Sequence, residues 1–392
     1  MFKSVLSLTL AAALGTASFG QTTLTAIPGE AAAAKYASIS QEILRAIEKG
    51  NEYLKSKQNP EGYWAQPSYP ALTALAVTAY MRAPANQGKP VPEYIRKGYD
   101  FILKSQKEDG SIFNRGMSSY NTAVCMMALL AANKEEYAPA ILKGRAYLIK
   151  QQNHFAPDNP YNGGIGYGDK QAPPIADLSN TSLALEAIYY SQKLAKDGKY
   201  GEQPDLDWNA ATEFINRCQQ NPAVNKEPWV SNDKSQLGGF VYRPGVSSAR
   251  DKKSAAFDKA EPPKAYGSMT YAGMQSLIYA NVDKNDPRVK LALKWLENSY
   301  SLDENPGMGV QGLYYYYQAM SKALSAMGID TLTLENGRKV DWRDELANKL
   351  ISIQKSDGSW VNTNNRWWEA DPVLVTSYCV LALEQLYHSI PR

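Results

Sequence analysis

The chain is poor in the side chains that carry most metal and disulfide chemistry. Its 392 residues include two histidines, His154 and His388, and three cysteines, Cys125, Cys218 and Cys379. Two histidines give a His-based zinc site little to work with, and no metal is expected. An odd number of cysteines, each inside an apolar stretch, reads as three small core residues rather than a disulfide framework. An excess of charge of one sign is also missing: 42 Lys and Arg stand against 39 Asp and Glu. The electrostatic footprint of a nucleic-acid binder is therefore absent. Phenylalanine is scarce, with 8 Phe against 26 Tyr and 8 Trp. Amphipathic aromatics of this kind suit a partly wet cavity or surface, where the polar edge finds a partner. No cofactor is expected either, because the run Gly163-Gly164-Ile165-Gly166-Tyr167-Gly168 lacks a following Lys-Ser/Thr and a preceding strand and reads as a turn.

Long apolar runs are missing too. The stretch from Val5 to Leu14 follows Lys3 and precedes small residues ending at Ser18-Phe19-Gly20. It falls far short of the ~20 residues that cross a bilayer, so no transmembrane segment is expected. Its layout is that of a signal peptide. Residues 1–20 are expected to direct export to the periplasm or beyond, leaving 21–392 as a single domain.

Repetition is abundant. One sentence recurs: a basic residue and Gly, an aromatic, aliphatics, Gln, a turn, Gly and an aromatic. It runs from Lys49 to Trp64 and from Lys97 to Phe113, again from Lys143-Gly144 to Gln151, and from Lys349 through Gln354 to Asp357-Gly358-Ser359-Trp360. Its first half has helical periodicity, and the Asn-Pro or Asp-Gly pair stops the helix. After each turn comes a helix that is apolar nearly all round, which predicts burial on every side. These second helices share a register: Thr73/Ala76/Ala79, Thr122/Cys125/Ala128, Thr181/Ala184/Ala187, Thr270/Gly273/Ser276 and Thr376/Cys379/Ala382. A stripe of small residues would let neighbouring inner helices approach closely. Copies four and five, about 208–281 and 288–328, are more diverged, and residues 222–264, with the charged run Arg250-Asp251-Lys252-Lys253, read as a long surface loop. About six hairpins without a polar capping copy predict closure. The expected fold class is all-α, an α/α toroid of inner and outer helices around a central cavity.

The Gln-to-Gly-x-Trp sentence resembles the QW repeat of squalene and oxidosqualene cyclases, and the hairpin spacing is similar to that of protein prenyltransferase β-subunits. The resemblance spans nearly the whole chain after residue 20 and implies the same toroid. It speaks less to chemistry, because fold does not fix function. Squalene–hopene-type cyclases protonate their substrate with the middle acid of a D-x-D-D-T motif, and the similar stretch here reads Asp177-Leu178-Ser179-Asn180-Thr181. Ser179 stands where the proton donor would be, and a hydroxyl is too weak an acid for that step. The zinc ligands implied by prenyltransferases fall on Gln311, Leu313 and Val375, none of which fits zinc. Arg217-Cys218-Gln219-Gln220 is a poor match to the Cys-Gly-Glu-Gln of a thioester domain.

Candidate site residues cluster at the starts of the second helices. Asp177, Ser119, Ser268 and Asp371 are placed to cap helix N-termini, and Asp371-Pro372 is a good cap of this kind. In the functional alternative, Asp177 and Asp371 lie at one mouth of the ring and share acid–base work. Asn365-Arg366-Trp367-Trp368-Glu369 precedes the last inner helix, where Arg366, Trp367, Trp368 and Glu369 could hold a sugar or an isoprenoid. Within Tyr314-Tyr315-Tyr316-Tyr317 one or two rings reach the cavity, Tyr315 among them, and Tyr120, Tyr167, Tyr271 and Trp360 are the other aromatic candidates. The function expected from this inventory is binding of a small apolar or amphipathic molecule without cyclase or zinc chemistry. Its alternatives are a glycan hydrolase or lyase and a partner-binding scaffold.

Overall fold

The computed structural model describes residues 28–168, 175–249 and 262–390. The stretch 1–20 and the run Arg250-Asp251-Lys252-Lys253 lie outside them.

Six outer helices, α1 (Pro28–Ser56), α3 (Glu93–Lys104), α5 (Ala138–Lys150), α7 (Trp208–Cys218), α9 (Pro287–Asn298) and α11 (Trp342–Ser352), alternate along the chain with six inner helices. The inner set is α2 (Pro70–Arg82), α4 (Ser118–Ala131), α6 (Leu178–Ala195), α8 (Gly267–Tyr279), α10 (Leu313–Met327) and α12 (Pro372–Ser389). Each inner helix packs against the next, and α12 packs back onto α2, so the ring is closed. Hairpin reversal makes the six inner helices parallel to one another. A two-residue antiparallel ladder, β1 (Leu332–Thr333) with β2 (Lys339–Val340), links α10 to α11. Among the described residues no helix is long and apolar enough to cross a membrane. All three cysteines are free and buried.

The recurring sentence is the joint between repeats. Each Gln side chain donates to the carbonyl of its own turn glycine and to a carbonyl of the next outer helix or its N-cap. Gln58 reaches Gly62 and Tyr94, Gln106 reaches Gly110 and Ala140, Gln152 reaches Gly163 and Asp207, Gln219 reaches Gly238 and Arg288, and Gln354 reaches Gly358 and Ala46. The turn glycine must be glycine for two reasons. At Gly110 φ is +89°, and an added Cβ would lie 2.2 Å from the Lys143 carbonyl oxygen of the next outer helix.

In five of the six inner helices, all but α10, a threonine faces outward to this joint. Its hydroxyl accepts from the backbone N–H of Trp64, Ile112, Ile165, Phe240 or Trp360. Farther along the stripe, Gly273 lies under the Phe240 ring, and the Ala79 and Ala128 carbonyls accept from Asn51 and Tyr99 of the outer layer. At these positions the stripe meets the outer layer and the ring of the turn aromatic.

Copy four keeps the joint across a long insertion. Gln219, Gly238 and Phe240 form its turn, and Asn225 is buried with its amide on the Arg217 and Gln219 carbonyls. Much of 222–249 is therefore packed chain rather than free surface loop.

Candidate functional site

All six inner helices line a central cavity of about 600 Å³. It opens where they end, beside the exposed Tyr190 and Ala326. Toward the N-terminal ends the lining rings of Tyr120, Tyr315 and Tyr378 form its floor, with Tyr315 and Tyr378 6.0 Å apart between ring centroids. The Tyr120 and Tyr378 hydroxyls are neighbours, and Tyr315 lies beside Ser179. Burial pushes Tyr120 up to about 12 and raises Tyr315 and Tyr378 as well. These phenols stay neutral and are weak acids.

Between floor and mouth the wall is apolar, with Leu75, Val124, Met127, Leu183 and Leu381. The mouth is polar. Lys322 Nζ donates to Glu186 Oε2 at 2.5 Å, Arg82 Nη2 to Gln385 Oε1 at 2.9 Å, and Gln275 Nε2 to the Tyr279 hydroxyl at 2.7 Å.

Of the residues singled out from sequence, Tyr120 and Tyr315 line this cavity. The others lie elsewhere. Asp177 caps α6, with Oδ1 accepting from Asn180 N and Oδ2 from Asn180 Nδ2, both at 2.8 Å. Burial pushes its carboxyl up to about 6, opposed by the Asn180 and Tyr242 hydrogen bonds and the Arg243 charge. Asp371 caps α12 through Val373 N at 2.8 Å. Both carboxylates belong to the N-terminal face of the ring, at the floor end of the cavity, and neither lines it.

Ser119 and Ser268 are not caps. Both lie inside their helices, where Met117 and Tyr266 hold the cap positions without a side-chain bond. The α8 N-terminus is instead served by Asn305 Oδ1, which accepts from Ser268 N at 2.9 Å.

Glu369 is almost fully buried. Its Oε1 accepts from Tyr315 N at 2.8 Å and its Oε2 from Asn362 Nδ2 at 2.7 Å, so it caps α10 from a neighbouring repeat. Burial raises its carboxyl despite these bonds. Trp360 is fully buried in a joint, with Nε1 donating to the Leu350 carbonyl and its ring against Gly50. Tyr271 is packed against Tyr316 in the wall.

Trp367 and Trp368 are 46% and 39% exposed on the N-terminal face, both at positive φ. Arg366 stacks on Trp367 at 4.5 Å and donates to Gln311, and Trp368 packs on Tyr69 at 4.7 Å. Tyr167 is on the same face, beside the Tyr242 hydroxyl. Among the described residues no three His, Cys, Asp or Glu side chains come together in a metal-binding group.

The polar mouth was not singled out from sequence. Glu186 carried a signal, since a carboxylate within the apolar run Leu183-Ala184-Leu185-Glu186-Ala187 needs a buried partner. Arg82 and Lys322, near helix C-termini, look like ordinary dipole-favourable surface residues.

Fold and cavity define an α/α toroid of the terpenoid cyclase and prenyltransferase kind. Among solved structures, the type II terpene cyclase MstE from Scytonema, in complex with geranylgeranyl dihydroxybenzoate, is similar with a TM-score of 0.53 at 10% identity, over 90% of this chain and 99% of that one. Candida albicans protein geranylgeranyltransferase-I with GGPP is similar with a TM-score of 0.54 at 14% identity, over 87% and 91%. A protein from Actinoplanes is similar with a TM-score of 0.50 at 13% identity, over 88% and 99%. At these identities the likeness is one of fold. No protein-family model matches the chain.

Proposed function

We propose that this protein is exported and binds an amphipathic small molecule in the central cavity, without cyclising or transferring it. The observation that carries the reading is the chamber itself: about 600 Å³, apolar along its wall and polar at an open mouth. Pockets of roughly 300–1,000 Å³ with a few polar groups are the usual size for a small ligand. Support comes from two similar folds, one holding geranylgeranyl dihydroxybenzoate and the other GGPP. The absence of turnover is argued from the lining. Neutral phenols form the floor, Ser179 stands behind them, and the lining carboxylate Glu186 is engaged by Lys322.

Organic extraction of the purified protein followed by mass spectrometry is expected to release an amphiphile. Leu183→Trp, which narrows the chamber, should lower that yield while the protein still melts cooperatively. Empty extracts from wild type, together with no binding of prenyl or alkyl compounds, would remove the reading.

The exposed Trp367 and Trp368 favour a second reading, a glycan held on the N-terminal face. The Trp367 ring lies by Gly312 with Arg366 stacked on it, and Trp368 packs on Tyr69. A glycan array that shows no difference between wild type and Trp367→Ala/Trp368→Ala would dispose of it.

A further inference from the structure

Three charged side chains line the cavity, and they come from alternate helices of the ring: Arg82 from α2, Glu186 from α6 and Lys322 from α10. The Lys322–Glu186 pair joins two helices that are not neighbours in the ring, since α8 stands between them. Glu186 is 6% exposed, so its end of this pair is buried in the cavity wall.

Arg82 has a neutral partner, Gln385, for one of its N–H groups, and a guanidinium carries five. The carboxyl nearest to it on α12 does not cancel its charge. Glu384 is fully buried behind the wall, and burial raises it well above the usual carboxylate range with only Arg82 opposing. Its two carboxyl oxygens are buried without a hydrogen-bond partner, so no ion pair ties it to Arg82.

Two cations against one anion leave the mouth with one surplus positive charge. Arg82 is the last residue of α2, where the helix end offsets part of its charge, whereas Glu186 and Lys322 lie more than a turn inside their helices. A neutral head group would leave the surplus unanswered. An ammonium would add a third cation beside Lys322, and a diphosphate would place several negative charges against Glu186.

We infer that the cavity takes an amphiphile with a single carboxylate, a long-chain fatty acid in chemical class, its head on Arg82 and Lys322 at the mouth and its tail directed to the tyrosine floor. This rests on the reading of the cavity as an amphiphile site. It adds the charge and the orientation of the ligand.

Calorimetric titration of the full chain with dodecanoic acid, dodecanol, dodecylamine and GGPP tests it. The acid should bind about tenfold or more tighter than the alcohol, the step expected of a charge-assisted hydrogen bond. Lys322→Met and Arg82→Met, which keep the apolar stems, should each weaken the acid about tenfold more than they weaken the alcohol. Glu186→Gln frees Lys322 and should tighten the acid. Equal affinity for acid and alcohol would overturn the inference, as would tighter binding of dodecylamine or GGPP, or acid affinity indifferent to Lys322→Met. In those cases the amphiphile reading itself stands. If none of the four ligands binds, that reading fails first and takes the inference with it. Should either Met variant not fold, the acid-to-alcohol ratio in wild type and Glu186→Gln still decides the question.

Discussion

The Thr376 hydroxyl is a single atom that fixes a joint. It accepts from Trp360 N at 3.1 Å in a fully buried setting. Thr376→Val keeps the shape and removes the acceptor, leaving a buried N–H without a partner. That loss costs about 1–3 kcal/mol, readable as a lower urea midpoint with an unchanged m-value. Asp177 makes a different prediction at the same scale. Its folded pKa of about 6 stands above the roughly 3.9 of an unfolded Asp. A raised carboxyl binds its proton more tightly in the folded state, so its stabilising contribution is complete below about pH 4 and is lost as pH rises through about 6. Asp177→Asn keeps a good N-cap residue and does not titrate. The stability of wild type relative to this variant should therefore fall by about 2–3 kcal/mol between pH 4 and pH 7. Parallel pH profiles for the two proteins would show that Asp177 does not titrate in this range.

At the scale of elements, five of the six inner helices have side-chain caps for their N-terminal N–H groups, of two kinds, while α4 uses the Tyr167 carbonyl. Asp177 and Asp371 cap their own helices. Asn121 caps α2 through Ala71 N, Asn305 caps α8 through Ser268 N, and Glu369 caps α10 through Tyr315 N, each from another repeat. Capping from a neighbour ties helix ends to ring assembly. Glu369→Ala should cost about 2 kcal/mol or more, because it strands buried donors on two elements, and should alter the fluorescence of the adjoining Trp367–Trp368 turn. Glu369→Gln, which keeps an acceptor, should recover most of both.

This division also explains what was legible in the sequence. Helices, joints and ring closure were legible because Gln, Gly, the aromatic and Thr recur at fixed local spacings, and Asp177 and Asp371 cap the helix that follows them directly. Caps that arrive from another repeat leave no local pattern, so Ser119 and Ser268 looked better placed than Asn121 and Asn305. The cavity was less legible for a related reason. Leu75, Val124 and Leu381 face it from helices that are apolar on every side, so no periodicity separates a lining residue from a packed one. Trp360 and Tyr271 have the composition of a ligand site, yet burial puts one in a joint and the other in the wall.

At the scale of the whole molecule, closure gives the joint between the last and first repeats the same bonds as a joint inside the array. In an open array, the first and last repeats lack a partner on one side and fray, so contacts between them would contribute little. Here Gln354 spans the point where the chain's end meets its beginning, donating at 3.0 Å to Gly358 O and at 3.0 Å to Ala46 O of α1. Gln106, inside the array, donates to Gly110 O at 3.2 Å and Ala140 O at 2.9 Å. The two glutamines have the same job, although 308 residues separate the ends of one bridge and 34 the ends of the other. Loop-closure entropy grows only as the logarithm of length, and the other contacts of the ring have already met it in the folded state. Gln354→Ala and Gln106→Ala should therefore lower stability by similar amounts, about 1–3 kcal/mol each. Each should also loosen the whole ring cooperatively rather than release one end. Hydrogen exchange makes the comparison direct. In a closed ring, Gln354→Ala accelerates exchange in α1 no more than Gln106→Ala does in α5, whereas selective fraying of α1 and α12 in Gln354→Ala alone would mean that the ring in solution has an end.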